Sequence, residues 1–183
     1  FALKREGLTN FVLLDAAPAG LEGPWRSFAR METLRSPKDI PGPELGIADL
    51  TFRAWHEAAY GEAAYQAIGK IPTGLWMDYL LWYRERVDLP VENGVQVTRV
   101  EPSDGGLRLH LDRDGAADTL TTRKLVLATG MDGFGRALIP EIVSDGLPPE
   151  CYAHCAEPVD FAALAGKRVA VLGAASSAFD YAA

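Results

Sequence analysis

The chain has 183 residues, of which 48% are hydrophobic, and a formal net charge of −7 at pH 7. This length and composition suffice for one sizeable core, or for one domain and part of another. The acidic balance argues against nucleic acid or an anionic membrane as a partner, since both attract basic surfaces. No stretch has the length and hydropathy of a membrane span or the residue order of a signal peptide, so we expect a cytoplasmic protein.

The first residues predict the end of a helix followed by a strand. Residues 1–6 have the pattern of the last turns of an amphipathic helix that Gly7 caps, and residues 10–14 favour a strand. Asp15 ends that strand. In dinucleotide-binding βαβ units an acidic residue at the end of the second strand binds ribose hydroxyls, so Asp15 is a candidate ligand. The alternative is an aspartate that starts a turn.

Residues 20–50 predict a long loop, and two helices follow it. Interleaved aromatic and basic side chains favour an ordered loop that faces a cofactor over an irregular surface lid. Thr51 is a predicted N-cap for a helix over residues 52–60, and Thr73 for a helix over residues 74–87. The second helix carries residues at helical spacing that predict core packing rather than a ligand site: Trp76, Tyr79, Leu80, Tyr83 and Val87.

Three strands are predicted after the helices. Residues 90–100 alternate in polarity, and residues 106–112 and 119–127 flank a polar turn as in a hairpin. The last strand ends in the apolar run Leu125–Leu127, which predicts a buried strand that runs into the glycine turn Ala128–Gly130. Helices and strands in this order predict an α/β fold.

Residues 131–165 lack a strong period and contain four prolines, which predicts a linker or an excursion between two units. Within it, Cys151 and Cys155 flank His154. These residues are too few for a metal site, and the spacing differs from that of a redox-active cysteine pair. We therefore expect no metal and two free thiols.

A second unit begins near Gly166. The β-branched run 169–172 breaks at Gly173 and passes through small residues into a helical pattern, as at the start of a nucleotide-binding βαβ unit. Gly173 permits a tight turn, a small residue at Ala175 lets the backbone approach a pyrophosphate, and Ala178 lets the helix pack closely on its strand. The alternative is a small-residue turn without a ligand, since Ala175 stands where a glycine is usual.

Taken in chain order, these segments resemble the flavin-containing monooxygenases and related flavoproteins with two dinucleotide-binding domains. The resemblance covers essentially the whole chain, and its strongest elements are Ala128–Gly130 and the segment 166–180. It implies a Rossmann-like α/β fold that is incomplete at both ends. The implied organisation is an FAD-binding domain over residues 1–146 without its first strand and glycine loop, a linker over residues 147–165, and the start of an NAD(P)-binding domain over residues 166–183.

The resemblance also implies cofactor contacts for individual residues. Asp15 falls where an acid binds the ribose of FAD, and the loop with Gly23 and Trp25 looks like one that lies near the flavin. Val97 falls where a strand backbone usually meets the adenine. One turn of this chain resembles the turn that closes over the FAD pyrophosphate, and it consists of Ala128, Thr129 and Gly130. The implied contacts of the NADPH pyrophosphate are Gly173, Ser176, Ser177 and Ala178.

The implied activity is the oxygenation of a small-molecule substrate by molecular oxygen. In this family NADPH reduces FAD, and the reduced flavin forms a peroxyflavin with oxygen. For this chain NADH stays open as the alternative to NADPH. Arg35 and Lys38 are the catalytic candidates, because their charges would stabilise negative charge on the flavin. The alternative is that both face solvent or a carboxylate. Arg35 stands where many members carry an active-site asparagine, and the Baeyer–Villiger fingerprint is not recognisable around residues 152–155.

Three other functions stay open at this point. One is a flavin enzyme that passes hydride to a quinone or a disulfide, although a disulfide reductase usually shows a close cysteine pair at the flavin. Another is a short-chain dehydrogenase, whose phosphate loop resembles residues 173–177 but lies near the start of its domain. The third is a nucleotide-binding module without catalytic activity.

Overall fold

The structure is a computed structural model that describes residues 1–130 and 137–183. Its first helix, α1 (Ala2–Arg5), is closed two residues later by Gly7, whose φ of +78° is the left-handed conformation that glycine adopts at low cost. The backbone N–H of Gly7 donates to the carbonyl oxygen of Lys4 at 3.0 Å. The predicted helix end and its glycine cap are confirmed.

Three further helices follow the long loop. They are α2 (Phe52–Tyr60), α3 (Glu62–Ala67) and α4 (Thr73–Arg86). Thr51 caps α2 as predicted, since its Oγ1 accepts a hydrogen bond from the N–H of Ala54 at 3.1 Å. The N-cap predicted for α4 is wrong by one residue, because Pro72 precedes the helix. The N–H of Thr73 donates to the carbonyl oxygen of Glu32 at 3.0 Å, so Thr73 joins α4 to the long loop instead of capping the helix.

The main hydrophobic core lies between these helices and the long loop. Tyr79 is fully buried and its Oη donates to the carbonyl oxygen of Leu50 at 2.7 Å. The Oη of Tyr83 donates to the carbonyl oxygen of Pro43 at 2.6 Å. Two predictions are thus confirmed. The residues at helical spacing on α4 pack in the core, and the long loop is ordered. The buried members of the core are Leu34, Leu50, Phe52, Tyr65, Ile71, Tyr79 and Tyr83.

A buried phenol makes stability sensitive to alkaline pH. Tyr65 is 1% exposed and its Oη donates to Oδ1 of Asp39 at 2.7 Å. Burial, and then the hydrogen bond to Asp39, raise the pKa of Tyr65 from 10.0 to about 12. Because the phenol ionises at a lower pH in the unfolded chain, the stabilisation is fully present below pH 10.0 and is lost as the pH rises through about 12. We expect a smaller alkaline loss of the urea midpoint in Tyr65→Phe, and the same loss in both proteins would contradict this account.

Two small sheets complete the folded part. In the first, β1 (Leu13–Asp15) pairs in parallel with β2 (Val91–Asn93), so that Asp15 lies opposite Asn93. The second is antiparallel and consists of β3 (Val95–Ser103), β4 (Gly106–Arg113) and β5 (Ala116–Thr122). A parallel pair beside helices, together with an antiparallel sheet, confirms the predicted α/β class.

The hairpin between β4 and β5 follows from its turn residues. Asp114 and Gly115 have φ of +51° and +90°, as a two-residue type I′ turn requires. The predicted hairpin is therefore confirmed, although β5 begins three residues earlier than expected and ends at Thr122. A second, smaller core of Val95, Leu109 and Leu111 lies on one face of this sheet.

Gly106 is expected to tolerate no side chain. A Cβ at this first residue of β4 would lie 2.3 Å from the carbonyl oxygen of Thr122. Gly106→Ala should lower the free energy of unfolding by about 3 kcal/mol, because the backbone at the end of β5 must move. The matched control is Gly69→Ala, where no atom lies within 4 Å of the added carbon. Equal urea midpoints for the two variants would refute the expected clash.

Two predicted strands do not form. The run Leu125–Leu127 has no strand conformation, and Val126 and Leu127 are 75% and 72% exposed. The run 169–172 likewise forms no strand, and Leu172 is 75% exposed. An apolar run becomes a strand only beside another strand that accepts its backbone hydrogen bonds. Residues 1–130 and 137–183 offer neither run such a neighbour.

The C-terminal third contains short helical elements. They are a helix α5 (Glu141–Ser144), single 3-10 turns at Pro149–Cys151 and Ala162–Leu164, and a helix α6 (Ser176–Ala182). Cys151 and Cys155 are free thiols. Residues 131–136 of the predicted linker lie outside the described part. None of the described helices is long and apolar enough to cross a membrane, and the described residues hold no cluster of three or more metal-ligating side chains.

Candidate functional site

The carboxyl end of the parallel strand pair holds Asp15. Its Oδ1 accepts a hydrogen bond from the N–H of Ala17 at 2.8 Å, which is the turn geometry considered as the alternative to ribose binding. Its Oδ2 accepts no hydrogen bond from the described residues. Asp15 therefore supports the turn with one oxygen and has a second oxygen available, so the ribose contact stays a prediction.

A polar network that sequence reasoning missed fixes the same strand ends. Arg84 of α4 donates through Nη1 to Oε1 of Glu22 at 2.8 Å and to Oδ1 of Asn93 at 2.9 Å. Asn93 Nδ2 donates to Glu22 Oε1 at 2.8 Å and to the carbonyl oxygen of Ala17 at 3.0 Å. Burial raises the pKa of Glu22, but hydrogen bonds from backbone N–H groups and Asn93, with the charge of Arg84, lower it overall below its ordinary value. The carboxylate thus stays ionised and ties the strand ends to the long loop.

The predicted flavin loop lies against the helical core. Gly23 has φ of +68°, and a Cβ there would lie 3.6 Å from Nε1 of Trp25. The Trp25 ring is half-buried and packs against the main core. Arg26 next to it pairs with Asp78 of α4. The loop is therefore ordered, and its contact with a flavin stays a prediction.

The two predicted catalytic residues have protein partners. Both carboxylate oxygens of Asp180 lie 2.5 Å from Nη2 of Arg35, so Arg35 faces a carboxylate, as the alternative reading proposed. Lys38 Nζ donates to the carbonyl oxygens of Tyr65 at 2.8 Å and Ile68 at 2.7 Å. These are carbonyls at the C-terminal end of α3, where a cation stabilises the helix. The catalytic roles of Arg35 and Lys38 remain predictions.

The predicted adenine and FAD-pyrophosphate contacts lie at the surface. Val97 is 37% exposed and precedes an irregularity in the β3–β4 register. Ala128, Thr129 and Gly130 are exposed, and Gly130 turns the chain with φ of +63°. No hydrogen bond within residues 1–130 and 137–183 joins Val97 or this turn to Asp15.

The second predicted phosphate loop brings Gly173 close to Ala178. A Cβ at Gly173 would lie 3.2 Å from the Cβ of Ala178, and the glycine has φ of +153°. Ser176 and Ser177 are exposed at the start of α6, and their hydroxyls bond to no group in the part of the chain that the structure describes. The loop therefore combines a close backbone approach with two hydroxyls that have no described partner, and its contact with a phosphate stays a prediction.

A family model described as pyridine nucleotide-disulphide oxidoreductase matches residues 1–183. The chain belongs to this family. Its membership confirms the predicted oxidoreductase superfamily and the α/β fold class. Neither Cys151 nor Cys155 forms a disulfide.

Two proteins of known identity are similar to this member of the family. The FAD-dependent urate hydroxylase of Xanthomonas campestris pv. campestris is 50% identical over 182 residues, which are 98% of this chain and 38% of that protein. The chain thus spans 38% of the length of that relative. The solved structure of lysine monooxygenase NbtG from Nocardia farcinica is 18% identical, with a TM-score of 0.47, and the match covers 66% of this chain and 36% of that one.

Proposed function

We propose that the chain belongs to an FAD-dependent monooxygenase that uses NAD(P)H and molecular oxygen to oxygenate a small molecule. The observation that carries the proposal is the 50% identity, over 98% of the chain, to an FAD-dependent urate hydroxylase. The close approach of Gly173 to Ala178 supports it, because small residues in such a loop leave room for a dinucleotide phosphate. In this proposal residues 1–146 belong to the FAD-binding domain, residues 147–165 to a linker and residues 166–183 to the NAD(P)H-binding domain.

The residues of the second loop fit a pyrophosphate. Gly173 lacks the Cβ that would fill the space beside Ala178. Ser176 and Ser177 offer two hydroxyl donors and the first N–H groups of α6. NADPH is the proposed ligand, and NADH meets the same requirements at this loop. In this proposal hydroxyl and backbone N–H donors, rather than a charged side chain, hold the phosphates.

The residues assigned to FAD also fit their group. Asp15 has one carboxylate oxygen available for ribose hydroxyls, and Trp25 is held beside Gly23 by the helical core. FAD, when bound, supplies the electron transfer and the reaction with oxygen. These side chains would bind and orient it, and Arg35 would contribute positive charge to stabilise the negative charge that develops on the ring. No acid or base of this chain is required by the proposal.

The first test is the colour of the complete polypeptide. It should be yellow as purified, and its flavin absorbance should disappear with NADPH and return in air. Urate, the substrate of the similar hydroxylase, is the first compound to try. Oxygen from labelled dioxygen in the product would separate oxygenation from hydride transfer to a quinone or a disulfide. A colourless protein that binds no flavin would overturn the proposal.

A substitution tests the role proposed for Arg35. Arg35→Ala should slow flavin reduction by NADPH about tenfold and raise the share of NADPH that ends as hydrogen peroxide, because it removes charge stabilisation. The matched control is Arg53→Ala, which also removes an arginine paired with a carboxylate, that of Glu57, but one that belongs to α2 rather than to the long loop. Stopped-flow absorbance gives the rate. Wild-type kinetics in Arg35→Ala would remove Arg35 from the site.

A further inference from the structure

One ion pair joins the two proposed nucleotide-binding parts of the chain. Arg35 lies in the long loop of the first part and Asp180 lies in α6 of the second, 145 residues away. Both carboxylate oxygens are 2.5 Å from Arg35 Nη2. The Asp180 side chain is 23% exposed, and that of Arg35 is 53% exposed. The carboxylate is thus partly shielded while the guanidinium keeps a solvent-facing surface.

Aromatic contacts reinforce the same junction. The guanidinium carbon of Arg30 lies 3.9 Å from the ring centroid of Phe161. Phe161 packs on Tyr181 with ring centroids 5.5 Å apart, and Tyr181 Oη donates to the carbonyl oxygen of Cys155 at 3.0 Å. Asp180 and its neighbour Tyr181 are therefore both held. The start of the second part thus meets the loop directly through the Arg35–Asp180 pair, and indirectly through Phe161 of the linker.

The ion pair leaves part of Arg35 available. Its Nη2 serves Asp180, while Nε and Nη1 donate to no described residue. Lys70 Nζ donates to the Arg35 carbonyl oxygen at 3.1 Å, which fixes the backbone behind the side chain. A carboxylate bound to one nitrogen of a planar guanidinium restricts its orientation and leaves the other two nitrogens for a second acceptor. Arg35 is thus oriented from two sides.

Asp180 also connects this arrangement to the second phosphate loop. It follows Ser176, the first residue of α6, by four positions, and residues so spaced lie on one face of a helix. A nucleotide held at Ser176 would therefore lie one helical turn from the carboxylate that holds Arg35. The long loop and α6 therefore meet at the guanidinium of Arg35.

We propose that Asp180 is a positioning residue, which orients Arg35 and docks the NAD(P)H-binding part on the active-site loop. The inference rests on the proposed function, because Arg35 is there assigned to the flavin. A partly exposed ion pair adds little to the free energy of global unfolding, so its contribution is to local geometry and docking rather than to folding. Arg35 should reach its working position only while α6 is docked.

A double-mutant cycle in the flavin-loaded complete enzyme tests this positioning. Asp180→Asn should slow flavin reduction about fivefold with little change in the dissociation constant of NADPH, because orientation rather than binding is lost. In the Arg35→Ala background the same change should add nothing, since the partner is absent. Asp180→Glu should restore part of the rate. The control is Glu57→Gln, which removes the partner of Arg53 and should leave the rate unchanged.

Hydrogen exchange measures docking without any turnover. In the protein without nucleotide, Asp180→Asn should speed amide exchange in peptides that cover residues 30–38 and 176–182, and leave the α4 peptides unchanged. Additive rate effects in the cycle, or unchanged exchange in both peptides, would overturn the positioning role. A different result would be a wild-type rate of flavin reduction in Arg35→Ala together with faster amide exchange in Asp180→Asn. It would confirm docking and refute the flavin role of Arg35. The two failures are thus distinguishable.

Discussion

Tyr79→Ala is expected to lower the free energy of unfolding by about 3–5 kcal/mol, a large share of the stability of an ordinary domain. The side chain is fully buried, and its ring lies 5.1 Å from that of Trp76 and 5.5 Å from that of Phe52, measured between centroids. Its removal leaves a cavity that rigid aromatic neighbours cannot fill. It also leaves the carbonyl oxygen of Leu50 without its hydrogen bond.

Urea unfolding followed by tryptophan fluorescence is the appropriate measurement, because four tryptophans surround this core: Trp25, Trp55, Trp76 and Trp82. Tyr79→Phe separates the two contributions. It keeps the ring and should cost about 1–3 kcal/mol for the unsatisfied carbonyl oxygen. Tyr60→Ala is the control, since that ring is 55% exposed. A wild-type midpoint in Tyr79→Ala would show that α4 and the loop do not share one core.

Gly173→Val is expected to weaken the binding of NADPH about a hundredfold, because backbone strain at such positions costs about 1–3 kcal/mol and the loop geometry is lost as well. The residue has φ of +153°, which side chains rarely adopt, and its added Cβ would lie 3.2 Å from that of Ala178. The dissociation constant follows from the dependence of flavin reduction on NADPH concentration. Flavin content should not change, since the proposed FAD contacts lie elsewhere.

Gly166→Val provides the matched control for this variant. It also places a side chain at a positive φ, +74°, but no atom lies within 4 Å of the added Cβ. It should therefore share the backbone strain and leave the phosphate loop intact. Ala175→Gly restores the usual middle glycine and should keep or improve NADPH binding. If Gly173→Val loses bound FAD and still binds NADPH, the assignment of this loop to NADPH is wrong.

Local signals in the sequence predicted local structure well. A glycine cap at Gly7, a threonine cap at Thr51 and the turn Asp114-Gly115 each need only their own neighbours, and all three are confirmed. The N-cap of α4 was predicted one residue too late, at Thr73. The N–H of Thr73 donates instead to the carbonyl oxygen of Glu32 in a distant segment. A cap is thus predictable only where no other segment binds the capping residue.

Features that depend on distant partners were not predictable from the pattern. The apolar runs 125–127 and 169–172 indicate strands, but strand formation requires a neighbour that the run itself does not encode. The pairs Arg35–Asp180 and Arg84–Glu22 join residues 145 and 62 positions apart, and nothing in either local sequence specifies the partner. The family resemblance located the Gly173 loop, while its contact with Ala178 required the structure.

Three tyrosine hydroxyls determine how freely the long loop can vary in length. Tyr65, Tyr83 and Tyr79 bind it at Asp39, Pro43 and Leu50. Surface loops ordinarily accept insertions and deletions. Here, however, the loop segment between two tyrosine hydrogen bonds must span a fixed distance on the helices. Relatives should therefore keep the residue count from 39 to 50 while varying in length at the β3–β4 turn. Alignment gaps, rather than substitutions, would be the signature of this restraint.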